Sequence, residues 1–325
     1  MKQINKQALL KGAATIVCAL APLLASAAYP SQPITLLVPF PPGGGNDQIG
    51  RLVGEHLSKE LSVPIVVENK SGAGGNIGTG LVARSKPDGY KLAIASNQVV
   101  INTSLYSNIG FDLHKDLRPV AMVADVQFLL VANPSTGLKT VDDIINSIKK
   151  DGRQINHGTP GNGTPQHLSA ELFSALTGAK LTHVPYRGSG PAIADVLAGH
   201  IELAFGTLPA VAPYVESQKL NGVAVTGKAR SALLPQIPTL AEAGVSGYES
   251  STWYGILAPA DTPDDVINTV SNAVKRVTDS AEFREQLSKL GYETRYLDSQ
   301  AMGKVMNEDE AKWAGIIKDV GIKVE

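Results

Sequence analysis

The stretch Pro39-Phe40-Pro41-Pro42-Gly43-Gly44-Gly45-Asn46-Asp47 constrains the fold most, because it has to turn a strand into a helix within a few residues. Before it, Ile34 to Val38 is rich in leucine and β-branched residues; after it, Ile49, Leu52, Val53, Leu57 and Leu61 recur at helical spacing. A glycine turn between such elements is the joint of an α/β sheet. Successive glycines let the backbone take positive φ and approach a ligand with no Cβ in the way. The first N–H groups of the helix are left unpaired, and with the positive end of its dipole they favour a carboxylate or phosphate by roughly 0.3 to 2 kcal/mol. Sterics alone also explain such glycines, with Asn46 or Asp47 as the N-cap.

A second stretch of the same construction lies over a hundred residues on, at Ile155-Asn156-His157-Gly158-Thr159-Pro160-Gly161-Asn162-Gly163-Thr164-Pro165. It ends a strand, turns on glycines, caps with Thr164 and puts Pro165 at the first helical position. Leu168, Leu172, Phe173 and Leu176 then share one face. Thr159, Asn162 and Thr164 add side-chain donors, so two such ends could grip one anion from opposite sides. Between them, the strand from Lys91 to Ala95 delivers Ser96 and Asn97 at its carboxyl end, where open α/β sheets bind ligands. Capping of the following turn is an equal role for that pair. Tyr186 and Arg187 open a further glycine turn, and Arg187 is placed to pair with a carboxylate bidentately.

The apolar run from Val120 to Ala132 exceeds an ordinary strand and reads as a crossing between lobes, with Ser251 to Ala258 as the return. The expected organisation is a signal peptide over 1–27, one lobe from 28–126 and 251–325, and a second from 127–250. The signal peptide is read from Lys2, Lys6 and Lys11, an uncharged run from Gly12 to Leu24, and Ala25-Ser26-Ala27. That apolar run is short of the ~20 residues needed to span a bilayer. Cleavage after Ala27 would remove Cys18, the single cysteine, and leave 26 basic against 30 acidic side chains. Such a chain has neither disulfide chemistry nor a basic field for nucleic acid.

Catalytic patterns are weak. Gly78-Thr79-Gly80-Leu81-Val82-Ala83 matches a loose dinucleotide fingerprint but lacks the strand that must directly precede it. None of the six histidines is spaced as a metal pair, and no nucleophile elbow occurs. His167 near Thr164 and Ser169 can be imagined as a base with a nucleophile, yet capping explains the threonine, and contact with solvent or ligand the histidine. No cofactor or metal is expected.

Five motifs in series resemble the tripartite tricarboxylate transporter receptors, the Bug-type periplasmic solute-binding proteins. They are Val38 to Gly44 with Asp47, Gly72 to Gly78, Lys86 to Tyr90, Gly161 to Thr164 with His167, and Val184 to Gly188. The resemblance implies a two-lobe periplasmic-binding-protein (Venus-flytrap) α/β fold with two crossover strands, closing over a small carboxylate. It implies that the turn from Phe40 through Gly43 and Gly44 to Asp47 grips the carboxylate with backbone N–H groups and waters. The facing turn from Thr159 to Thr164, including Asn162 and Gly163, would complete the site. Many members carry an acidic residue where this chain has Gly206-Thr207, which favours mono- or dicarboxylates over amino acids. The expected protein is a non-enzymatic, periplasmic, monomeric receptor whose partners are its ligand and integral membrane transporter subunits. A secreted α/β hydrolase or lyase, or the sensing subunit of a signalling system, are the alternatives.

Overall fold

The computed structural model describes residues 29–322, so the expected signal peptide lies outside the described residues. Strand β1 (Ile34–Val38) leads into helix α1 (Gly45–Leu61), followed by β2 (Ile65–Asn69), α2 (Asn76–Ala83), β3 (Lys91–Ser96), α3 (Gln98–Leu105) and the one-turn α4 (Leu113–Asp116). β1 pairs in parallel with β2 and with β3. Alternation along these strands sorts their apolar side chains to two faces. Leu36, Val38 and Ile94 pack with Ile49, Val53 and Leu57 of α1, whereas Leu37, Ala93 and Ala95 join the cluster on the other face. Each such leucine or isoleucine, fully buried, stabilises the sheet by about 1.5–3 kcal/mol.

The long apolar run forms β4 (Leu117–Ala132). Beyond it, α5 (Val141–Lys149), β5 (Asn156–Thr159), α6 (Pro165–Thr177), β6 (Thr182–Pro185), α7 (Ser189–Ala198), β7 (Leu203–Thr207), α8 (Leu208–Glu216) and β8 (Asn221–Val225) build the second lobe. β9 (Ser251–Pro259) returns to the first, completed by α9 (Asp264–Asp279), α10 (Ala281–Lys289), β10 (Glu293–Asp298) and α11 (Ser299–Val320). β4 belongs to both sheets: Leu117 to Gln127 pair antiparallel with β9, and Phe128 to Ala132 pair with β7 and β8. The first sheet therefore runs β2-β1-β3-β9-β4-β10 and the second β8-β4-β7-β5-β6. Asp125 and Gln127, the polar breaks in the run, are held where the strand changes partners. Asp125 bonds to Arg295, and Gln127 donates to Glu293 at 3.2 Å.

Local chemistry sets the element ends. Thr140 and Asp143 form a reciprocal capping box at α5, as their spacing predicts. Gly44, rather than Asn46 or Asp47, is the N-cap of α1, because the Asp47 carboxylate turns back to accept from the Gly43 N–H at 2.9 Å. β2 starts directly after Pro64. Pro64 has no N–H to give the ladder and serves as its entry, its carbonyl accepting from Ile34 at 3.0 Å. The segment Gly78 to Ala83 lies inside α2, so its glycines form no phosphate loop.

Candidate functional site

A cavity of ≈720 Å³ lies between the lobes, and the starts of five helices open on it. α1 presents Gly44, Gly45 and Asn46, α3 presents Gln98, and α6 presents Thr164, Pro165 and Gln166. α7 adds Gly188 and Ser189, and α8 adds Thr207 and Pro209. Four of these helices, α1, α3, α7 and α8, have no side-chain cap. At α6 the cap is stretched, with Thr164 Oγ1 3.4 Å from the His167 N–H. By contrast, Asp112, Thr140, Ser280 and Asp298 cap α4, α5, α10 and α11; α2 and α9 also begin without a side-chain cap. Uncapped N–H groups facing one hollow, each with its dipole behind it, form an anion-binding environment.

The wall carries no carboxylate, and Lys289 is its only charged side chain among the described residues. Two buried phenols stand beside the start of α1. Tyr292 Oη donates to Gln48 Oε1 at 3.1 Å, and burial raises its pKa to about 12. Burial, together with the Tyr292 phenol beside it, raises the Tyr254 pKa as well. Both therefore remain neutral donors at neutral pH. Gly45 makes room for them: a Cβ there would lie 2.5 Å from Tyr254 Oη and 3.0 Å from Tyr292 Oη.

The sequence-predicted residues divide into two sets. Phe40, Gly43, Gly44, Ser96 and Thr164 line the cavity. Asp47 does not; it is 4% exposed and holds the turn from beneath, accepting from Gly43, from Arg51 at 3.0 Å and from Asn69 at 2.8 Å. Burial opposes its ionisation, but the bonds from Arg51, Gly43 and Asn69 prevail and lower its pKa. Asn97 is buried and donates to the Ser251 carbonyl at 2.8 Å, tying β3 to the crossover. Thr159 lies 2.6 Å from His183 Nε2, beneath the second turn. Gly163 donates to His167 Nδ1 at 3.0 Å and accepts from Gln98 Nε2 at 3.2 Å, a bond between lobes. Its φ of +68° and the Leu105 side chain against it leave space only for glycine. Asn162 and Arg187 are exposed and outside the cavity wall, and Tyr186 donates to Asp195 at 2.7 Å instead.

His167 is likewise committed. Its ring stacks on His183 at 3.7 Å, with His157 beyond at 5.2 Å from His183. Burial and the neighbouring imidazoles lower the pKa of His157 to about 3, and of His183 to about 4. The rings lie face to face, and among the described residues no group of three or more His, Cys, Asp or Glu could hold a metal ion.

Several lining residues escaped the sequence reading. Gln98 and Gln166 follow directly on Ser96-Asn97 and Thr164-Pro165, so one more residue of the same helix-start logic reaches them. Gln98 also joins a buried amide chain, donating to Asn102 at 2.7 Å while Asn102 donates to Asn76 at 2.7 Å. Tyr254, Lys289 and Tyr292 come from segments that read as core and scaffold, with no local signal to mark them.

A family model described as the tripartite tricarboxylate transporter family receptor matches residues 49–322. Protein BugT of Bordetella pertussis is 33% identical over 299 residues, covering 91% of this chain and 92% of that protein. Among solved structures, the periplasmic binding protein BugD superposes with a TM-score of 0.79 at 30% identity, covering 91% of this chain and all of that one. Rpa4515 of R. palustris, solved with adipate, gives 0.82 at 33% identity over the same shares. MatC of Rhodopseudomonas palustris, solved with malate, gives 0.77 at 26%, covering 89% of this chain and all of that one.

Proposed function

Because the chain belongs to the tripartite tricarboxylate transporter receptor family, we propose that its cleft captures a small organic carboxylate and that the closed receptor delivers it to integral membrane transporter subunits. One observation carries this reading: five helix starts, four without side-chain caps, face a cavity whose wall has no carboxylate among the described residues. Adipate and malate in two structural neighbours support it. A lone helix end favours an anion by at most ~2 kcal/mol, whereas micromolar binding needs about −8 kcal/mol. Donors from both lobes supply the difference, so ligand shifts the hinge towards closure.

In this reading 28–126 with 251–325 and 127–250 move as the two lobes, supported by the change of β4 partners between Gln127 and Phe128. Phe40, Gly43, Gly44, Ser96 and Thr164 contact ligand directly; Asp47, Asn97, Thr159, Gly163 and His167 hold the turns in place. The receptor works as an exported, periplasmic, non-catalytic monomer. His167 serves structure, since its Nδ1 already accepts from Gly163. Amino acids are disfavoured because Thr207 lines the wall where a carboxylate would receive an ammonium group.

A thermal-shift screen over mono-, di- and tricarboxylates, each paired with its amino-acid analogue, tests this. Stabilisation follows RT ln(1 + [L]/Kd), so ligand at ~100 Kd adds about 2.7 kcal/mol. Stabilisation by carboxylates is expected; a flat screen, or amino acids outcompeting their deaminated analogues, would reject the reading.

A further inference from the structure

Among the described residues Lys289 is the one formal charge in the cavity wall, and its place in the fold gives that charge a use. It ends α10, and the next residues, Leu290 and Gly291, reach the opposite lobe at the mouth of the cleft. There Gly291, at φ +75°, packs so closely on Pro209 at the start of α8 that a Cβ would come within 2.3 Å of the proline Cβ. That contact joins the two lobes and puts Lys289 beside the point where they meet. Its present partner is Glu285 at 2.7 Å, one turn back on the same helix, with both side chains about 70% exposed. A pair so open to water is readily exchanged for another carboxylate.

We propose that Lys289 selects ligands carrying a second carboxylate, pairing with the acid group farther from the helix starts. This rests on the carboxylate reading of the same cleft. The helix starts offer only partial charges and serve the first acid, and no acidic side chain in the wall repels a second. A volume of ≈720 Å³ leaves room for a body between the two groups. Apolar surface from Phe40, Pro209 and Leu290 would cover that body. A monoacid of equal length would place a methyl group where a second carboxylate could meet the ammonium, and so forgo that pair.

Calorimetric titration with adipate and with hexanoate, which share a six-carbon chain, reads this selection as a ratio of affinities. In the unaltered protein at low salt, adipate is expected to bind about two- to fivefold tighter, the worth of one ion pair open to water. Lys289→Gln should bring that ratio close to one and Lys289→Arg should restore it, with melting curves of the free variants establishing that each is folded. An adipate-to-hexanoate ratio near one in the unaltered protein, or a ratio that Lys289→Gln leaves intact, overturns the proposal while carboxylate binding stands. If neither acid binds, the reading of the cleft fails and the selection with it.

Discussion

Gly45 offers a quantitative test of how tightly the site is built. Its backbone is ordinary for any residue, so alanine there meets only side chains, chiefly Tyr254 Oη at 2.5 Å and then Tyr292 Oη at 3.0 Å. Overpacking of this kind costs about 1–3 kcal/mol, and the better helix propensity of alanine returns up to about 1 kcal/mol. Gly45→Ala should therefore destabilise by roughly 1–2 kcal/mol. In a Tyr254→Phe background the colliding oxygen is gone and the next atom of that ring lies at an ordinary 3.4 Å. The cost of Gly45→Ala should then fall to that of the tight Tyr292 Oη contact at 3.0 Å, below about 1 kcal/mol, a coupling of roughly 0.5–1 kcal/mol between the two sites. Urea unfolding of the four proteins, with m-values compared to check that the unfolded states match, measures it. Additive effects within experimental error would refute the collision argument and the placement of the phenol against the helix start.

Acid sensitivity should trace in part to His157, which is fully buried with neither ring nitrogen hydrogen-bonded. Its folded pKa of about 3 lies below the ordinary 6.5, so as pH falls the unfolded chain takes up the proton first; the stabilisation is complete above about 6.5 and declines from there towards 3. The limiting slope is about 1.4 kcal/mol per pH unit, and His157→Phe should flatten the loss of urea midpoint between pH 6.5 and 5, whereas an unchanged slope would contradict this assignment. Asp47→Asn should cost about 1.5–3 kcal/mol by weakening the bonds from Arg51 and Gly43. It should also loosen carboxylate binding without touching ligand, and a variant equal to the parent in both melting and titration would show that the turn does not depend on that charge.

The βα joints were legible because their signals are local. Thr140 with Asp143, Thr164 with Pro165, and the glycines after β1 each announce a helix start within four residues. The long crossover was legible from length alone. Side-chain roles at the same turns were not, because they depend on neighbours distant in sequence. Asp47 turns inward because Asn69, twenty-two residues on, supplies a donor at 2.8 Å. Arg187 is exposed and outside the cavity wall, and no local rule in the sequence fixes where such a side chain goes. Tyr254 and Tyr292 look like core by composition and are indeed buried, yet their hydroxyls reach the cavity through the pairing of β9 with β3 and the turn after α10.

The central claim is that helix starts from both lobes hold one carboxylate, and a crystal structure of the protein with a bound diacid tests it most directly. The expected result is a carboxylate with oxygens about 2.7–3.0 Å from N–H donors near Gly44 to Asn46 on one side and Thr164 to Gln166 or Ser189 on the other. A ligand seated on one lobe alone, or held only by side chains away from those helix starts, would contradict the account.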